Sequence, residues 1–269
     1  MSIRDSLKRY YRKLVPANAR RAISRRLHRE VPIAKFRLQG ADAIRDDFEG
    51  RMQYTGPLLS SYLNVEQDMV MKWHHYLPVY EKILLPFRGK KISLLELGVA
   101  GGGSLQMWRK FLGNEAEIYG IDINPSCQNR ARDYANVRIG SQADAEFLAT
   151  VTSQMSSLNI VIDDGSHNME HIKSSFEILF PQLSDGGIYI IEDLHAAYWK
   201  SCGGGYNSKE NFFSYVRDLT DDMHSHYHDR AEKKPGLGKF VHSITVYDSM
   251  CIITKGSPQT PVWSAVPSS

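Results

Sequence analysis

Two short stretches concentrate the reactive side chains of this 269-residue chain. In one, Ile160-Val161-Ile162 runs into Asp163-Asp164-Gly165-Ser166-His167. In the other, Ile188-Tyr189-Ile190-Ile191 runs into Glu192-Asp193. A short β-branched apolar run that stops at carboxylates and a glycine reads as a buried strand with an abrupt end. In open α/β sheets, ligands collect just outside the carboxyl ends of the strands. Neighbouring strand ends here gather four carboxylates and one imidazole. That much like charge is costly unless a cation holds it.

The elements that must position these residues alternate from residue 91 onward. Residues 92–97 predict the first strand, followed by the glycine-rich turn Gly98-Val99-Ala100-Gly101-Gly102-Gly103. Ser104 is placed to cap a helix running to about Leu112. Residues 118–121 form a strand ending in Asp122, and a helix is expected over 125–134. Residues 137–139 form a strand ending in Gly140-Ser141-Gln142, with helices over 143–156 and 168–182 around the Asp163-Asp164 strand. Such repeated β-α units predict a parallel sheet with helices on both faces. The close of the chain, 241–247 and 250–254 joined by Asp248-Ser249, reads as an antiparallel hairpin.

The glycine turn lets the backbone approach a ligand, and a helix N-terminus there favours negative charge. Asp122 stands 24 residues after Gly98, where a carboxylate meets ribose hydroxyls. A dinucleotide fits this arrangement, since Gly98-x-Ala100-x-x-Gly103 is a degenerate dinucleotide fingerprint. S-adenosylmethionine fits as well, with Glu96 as the acidic residue two before the first glycine. Three features favour the second. The carboxylates after the fourth and fifth strands are no dinucleotide signature, the terminal hairpin is typical of the methyltransferase fold, and Ser141-Gln142 lies where that fold holds adenine.

Residues 94–199 resemble the macrolide sugar O-methyltransferases of the macrocin and mycinamicin type and the related cephalosporin hydroxylase-like proteins. The matching stretches are Leu95-Glu96-Leu97-Gly98-Val99 with Gly102-Gly103-Ser104-Leu105, Gly120-Ile121-Asp122-Ile123, Ile162 to His167, Leu179-Phe180-Pro181, and Glu192-Asp193-Leu194-His195 with Tyr198-Trp199. The resemblance implies an α/β, Rossmann-like class I methyltransferase fold: a mostly parallel seven-stranded sheet with a C-terminal antiparallel hairpin. It implies a methyl acceptor that is a sugar hydroxyl of a natural product, polysaccharide or glycolipid. It assigns the S-adenosylmethionine site to Glu96, Gly98, Gly102, Ser104, Asp122, Gln142 and Asp163.

The same resemblance implies Mg²⁺ on Asp164, Glu192 and Asp193, with His167 as general base. Oxygen ligands without cysteine suit that hard ion. His167 could instead cap the following helix, and His195 is a rival base. Asp163 is better suited to orienting the loop or a ligand than to holding metal. The spacing of the first two metal residues also resembles that of the catechol O-methyltransferases, where a lysine takes the base position. Other readings are an NAD-dependent oxidoreductase and a non-catalytic partner protein of the same fold.

Composition sets the surroundings. Residues 1–37 carry twelve Lys/Arg against Asp5 and Glu30, net +10, and the remainder carries 21 basic against 28 acidic residues, net −7. Ile3, Leu7, Tyr11 and Leu14 and then Ile23, Leu27 and Val31 recur at helical spacing, so this basic arm reads as amphipathic. It suits a peripheral membrane contact, a partner subunit or plain solvation. Basic residues kept away from the acidic site argue against nucleic acid as substrate. Cys127, Cys202 and Cys251 predict a reducing, cytoplasmic setting without disulfides, and no apolar run is long enough to span a membrane. The expected organisation is the arm at 1–37, a helical cap region at 38–90, the methyltransferase domain at 91–256 and a tail at 257–269, with a homo-oligomer implied. In the cap region, Lys72-Trp73-His74-His75-Tyr76 and Tyr80 either cap a ligand pocket or form the packing face of a helix. His224-x-His226-x-His228 reads as solvated, and Gly203-Gly204-Gly205 as a lid over the acceptor.

Overall fold

The computed structural model describes residues 37–266 apart from residues 39, 67, 132 and 230–235. The helices expected in the basic arm lie outside the described residues. Two compact units divide after Gln39, and the second, Gly40–Ser269, holds the cap region and the sheet together.

The sheet has seven strands: β1 (Ser93–Leu97), β2 (Glu117–Asp122), β3 (Asn136–Ile139), β4 (Ile160–Asp163), β5 (Ile188–Ile191), β6 (Val241–Tyr247) and β7 (Met250–Lys255), in the order β3-β2-β1-β4-β5-β7-β6. The first five run parallel. β7 is antiparallel to β5, and β6 to β7. This is the Rossmann-like methyltransferase sheet with the expected C-terminal hairpin. The chain reverses its winding between β1 and β4, and that switch point is where such sheets bind ligands. Every residue of β1, β4 and β5 is buried, because helices cover both faces and such strands read as unbroken apolar runs.

The described α-helices are α1 (Ala41–Asp46), α2 (Pro57–Leu63), α3 (Tyr76–Leu84), α4 (Gly103–Leu112), α5 (Ala145–Ser153), α6 (Met169–Leu179) and α7 (Phe212–Met223). α5 and α6 start at Asp144 and Asn168, whose side chains accept the N–H groups of the first turn. α4 starts differently from the expectation. Its N-cap is Gly102, in the left-handed region at φ 87°, while the Ser104 hydroxyl donates to Glu96 (2.7 Å). The helix expected over 125–134 is reduced to one 3₁₀ turn, Pro125–Cys127, capped by Asn124. Ala131, at φ 50°, is incompatible with a continuing right-handed helix.

One face of the sheet packs Leu94, Ile160 and Ile162 against Trp108 of α4 and against Tyr76 and Tyr80 of α3. The other packs Tyr189 and Val161 against Phe176 and Phe212. The cap region thus adds Phe48, Leu58, Tyr76, Leu77 and Tyr80 to the core on one face of the sheet, and its helix α3 reaches the strand ends from that side. No helix among the described residues is long and apolar enough to cross a membrane.

Candidate active site

Register brings the two reactive stretches together. Leu97 of β1 pairs with Asp163 of β4, and Asp163 pairs with Ile191 of β5. Past those pairs, Asp164 N–H donates to Leu97 O and Glu192 N–H to Asp163 O, each at 2.9 Å. Asp164, His167 and Asp193 thus surround one partly open point, with side chains 24 %, 32 % and 23 % exposed. His167 Nε2 lies 3.8 Å from Asp193 Oδ2 and 4.0 Å from Asp164 Oδ1. These three residues each offer a ligand atom within 4.8 Å of the others. His167 and Asp193 hold φ of 52° and 56°. Left-handed backbone at non-glycine residues costs about 1–3 kcal/mol each, and such strain collects at functional sites.

The buried side of the cluster is supplied by the cap region. Lys72, its side chain only 1 % exposed, places Nζ 2.6 Å from Asp164 Oδ2 and 2.5 Å from Glu192 Oε1, with Glu96 Oε1 at 4.0 Å. The Tyr80 hydroxyl donates to the same Glu192 oxygen (2.5 Å). The Tyr76 hydroxyl donates to Asp193 Oδ1 (2.9 Å) and accepts from Asp193 N–H (3.2 Å), and Trp73 Nε1–H also donates to Oδ1 (3.2 Å). Burial opposes the charge of Lys72, but the carboxylates of Asp164, Glu192 and Glu96 outweigh it and hold the ammonium well above its ordinary pKa. Burial and then the charge of Asp164 push Glu192 upward. Both directions favour a site that retains protons when no other cation is there.

Glu192 was expected on the metal with Asp164 and Asp193. In the structure it is 2 % exposed, and its Oε1 is engaged by Lys72 and Tyr80. The trio whose ligand atoms lie together among the described residues is Asp164, His167 and Asp193.

The glycine turn lies beside this cluster. Gly98 has φ 98°, and a Cβ there would fall 2.2 Å from the Asp164 carbonyl oxygen, so only glycine lets the two loops meet. Val99 and Ala100 N–H donate to Asp122 Oδ2 (3.0 Å each), and Asn124 N–H to Oδ1 (2.8 Å). Burial works the other way, but those three amides keep the Asp122 carboxyl below its ordinary pKa. Glu96 is fully buried under the turn, accepting from Ser104 Oγ and Trp108 Nε1. Burial pushes it up to about 7, against the pull of Lys72.

The structure turns Asp163 inward, away from the open point. It is buried and accepts from Ser175 Oγ (2.7 Å), Gln142 Nε2 (3.0 Å) and Tyr189 OH (3.1 Å). Gln142 is buried too, and its Oε1 accepts Ser166 N–H (2.7 Å). These two side chains shape the loop that carries Asp164 and His167. His195 has Nδ1 tied to Ser249 Oγ (2.6 Å) and packs edge-on to Trp73 and Trp199. Burial leads in lowering its pKa, with the charge of Asp193 opposing. The histidine run at 224–228 lies at the end of α7, where His224 Nδ1 meets Thr220 O (2.8 Å). The glycine run folds back on its own turn: Gly204 N–H donates to Trp199 O and Gly205 N–H to Ala197 O. Lys72, Tyr76 and Tyr80 are the site residues that motif reasoning left unassigned. Their signal was the dense polar and aromatic stretch at 72–80, whose tyrosine rings pack in the core while their hydroxyls meet the carboxylates.

Residues 95–194 match the family model described as a methyltransferase domain. Demethylmacrocin O-methyltransferase of Streptomyces fradiae is 30 % identical over 251 residues, 85 % of this chain and 63 % of that protein. Mycinamicin VI 2''-O-methyltransferase of Micromonospora griseorubida is 30 % identical over 230 residues, 81 % of this chain and 56 % of that one. The MycE methyltransferase of the mycinamycin pathway, solved with Mg, SAH and mycinamycin VI, superposes with a TM-score of 0.69 at 27 % identity, covering 93 % of this chain and 65 % of that one. The similarity read from the motifs of residues 94–199 therefore extends over most of the chain. The chain itself spans between 56 % and 65 % of the length of these three proteins.

Proposed function

We propose that this chain, similar over most of its length to the macrocin and mycinamicin sugar O-methyltransferases, moves a methyl group from S-adenosylmethionine to a sugar hydroxyl of a glycosylated natural product. The observation that carries the reading is the convergence of Asp164, His167 and Asp193 on one open point at the switch point of the sheet. The donor set fits Mg²⁺: Asp164 and Asp193 turn carboxylate oxygens to that point, Glu192 stands behind them, and no thiol is present. A hard divalent ion held there would offset the carboxylate charge and lower the pKa of an acceptor hydroxyl. The turn at 98–103 and the anionic Asp122 suit the nucleoside end of S-adenosylmethionine, whose sulfonium supplies an electrophilic methyl group.

The remaining work falls to this chain's own side chains. His167 Nε2 faces the open point and is the group placed to take the hydroxyl proton. Asp193 Oδ2, 3.8 Å away, then stabilises the imidazolium. Asp164 and Asp193 fix the direction of the acceptor oxygen, and alignment of oxygen, methyl and sulfur supplies much of the acceleration in such a displacement. Gln142 and Asp163 hold the loop that carries the base.

Homo-oligomerisation belongs to the same reading, supported by Val262, Trp263 and Val266, which leave apolar side chains exposed on the single chain. Contact of the arm with anionic surfaces rests on its net charge of +10 alone, and sedimentation with anionic liposomes tests it. The central test is transfer of labelled methyl from S-adenosylmethionine to a panel of glycosylated acceptors. Labelled sugar product is expected, and calorimetry should register S-adenosylmethionine but not NAD. Tight NAD binding with no methyl transfer would return the oxidoreductase reading.

A further inference from the structure

Of the four acidic residues at the ends of β4 and β5, Asp164, Glu192 and Asp193 are each held by one oxygen from a single direction. Lys72 takes Asp164 Oδ2, Lys72 and Tyr80 take Glu192 Oε1, and Trp73 and Tyr76 take Asp193 Oδ1. The opposite oxygens, Asp164 Oδ1 and Asp193 Oδ2, are the ones beside His167 Nε2. A carboxylate pinned at one oxygen can rotate little about its last bond. What faces the open point is therefore decided by what binds on the buried side.

Lys72 bridges the ends of β4 and β5. Its position is set by backbone packing. Met69 and Val70 lie against the glycine turn so closely that a Cβ at Gly103 would fall 2.6 Å from Val70 N, and one at Gly101 2.7 Å from Met69 O. The chain three residues on delivers the ammonium between Asp164, Glu192 and Glu96. The segment that lies against the cofactor turn thus also carries the cation of the acidic cluster.

We propose that Lys72 is a positioning residue for the divalent-cation site: its ammonium ties Asp164 Oδ2 to Glu192 Oε1, and so presents Asp164 Oδ1 to the open point beside Asp193 and His167. The inference rests on the metal-dependent reading given above. It makes a prediction opposite in sign to simple charge counting. Removing a cation from an acidic cluster should, by Coulomb attraction alone, tighten binding of a second cation. If Lys72 acts by orienting its partners, its loss loosens binding instead, because Asp164 and Glu192 repel one another and leave the arrangement the ion needs. Groups that orient metal ligands from behind typically cost about 10–100-fold in metal affinity when removed.

The test is Mg²⁺ titrated calorimetrically into the full chain, wild type against Lys72→Met, with the thermal transition and S-adenosylhomocysteine binding as controls for folding. An affinity weakened by about 10–100-fold in the variant is expected. Equal or tighter binding in Lys72→Met overturns the inference while leaving the metal reading intact. A wild-type chain that takes up no Mg²⁺ overturns both. Lys72→Ala gives a second route should the methionine variant not fold. Propylammonium added to that protein should restore Mg²⁺ affinity by refilling the ammonium position, and an affinity indifferent to the amine counts against the assignment.

Discussion

His167 Nε2 lies 3.8 Å from Asp193 Oδ2, and both residues reach that distance through left-handed backbone. The carboxylate is placed to support positive charge on the ring once a proton has been taken. His195, by contrast, spends Nδ1 on Ser249 and stands between two tryptophans. His167→Ala should therefore lower kcat by about 10²–10⁴-fold, the usual worth of a general base, with S-adenosylmethionine binding intact by calorimetry. His195→Ala should cost less. Near-normal turnover in His167→Ala would move the base elsewhere.

Asp164 and Asp193 are the carboxylates whose free oxygens meet at the open point. Treatment with EDTA should abolish methyl transfer, and added Mg²⁺ should restore it. Asp193→Asn should weaken Mg²⁺ affinity by at least about 10-fold, the low end of what even an outer-shell change costs, while the turn at 98–103 still takes up S-adenosylmethionine. Full activity in chelator would remove the metal from the reading.

The architecture was legible in the sequence because strand ends, glycines and carboxylates obey local rules. Asp163-Asp164 and Glu192-Asp193 follow apolar runs, and parallel register alone makes them neighbours. Two local expectations failed for identifiable reasons. Ser104 has the chemistry of an N-cap, but Glu96 claims its hydroxyl and Gly102 caps instead. Pro125 opens a turn that Ala131, at positive φ, does not extend. The stretch at 72–80 stands out as dense in polar and aromatic residues, but the partners of Lys72 cannot be read from it. Lys72 meets partners 92 and 120 residues away, and no spacing rule connects them. Asp163 and Gln142 carry the chemistry of ligand contacts, yet their mutual hydrogen bond turns both into the loop's support.

Tyr80 offers a test of the buried side without touching a charge. Its hydroxyl donates to Glu192 Oε1, and its ring packs on Trp108 with centroids 4.8 Å apart. Tyr80→Phe keeps the ring and removes the donor. A hydrogen bond to a charged group is worth about 1.5–3 kcal/mol, so the variant should lose roughly 2 kcal/mol in denaturant unfolding. An unchanged midpoint would mean that Lys72 alone satisfies that oxygen.

Glu96 predicts a pH dependence. Burial raises its carboxyl from 4.5 to about 7 in the folded chain. A raised acid favours the protonated folded form, so its contribution is fully present below about 4.5 and is lost as pH rises through about 7. At about 1.36 kcal/mol per unit, this is on the order of 3 kcal/mol. Unfolding free energy of the metal-free protein should fall between pH 5 and 7.5, and Glu96→Gln should flatten that slope. A slope that persists unaltered in the variant would assign the dependence to other groups.

Gly98 links the glycine turn to the acidic loop through space rather than charge. A Cβ there would lie 2.2 Å from Asp164 O and 2.9 Å from Gly165 Cα, on backbone at φ 98°. Neither neighbour is a flexible side-chain end, so the Asp164 loop itself must move. Gly98→Ala should cost on the order of 2–4 kcal/mol, from strained φ and displaced backbone together, and should weaken Mg²⁺ binding along with S-adenosylmethionine binding. Gly89→Ala is the control: its φ is 70°, but nothing lies within 4 Å of the new Cβ, so only the left-handed strain of about 1–2 kcal/mol remains. Equal losses at the two positions would show that conformational strain, and not contact with the Asp164 loop, is what glycine relieves at position 98.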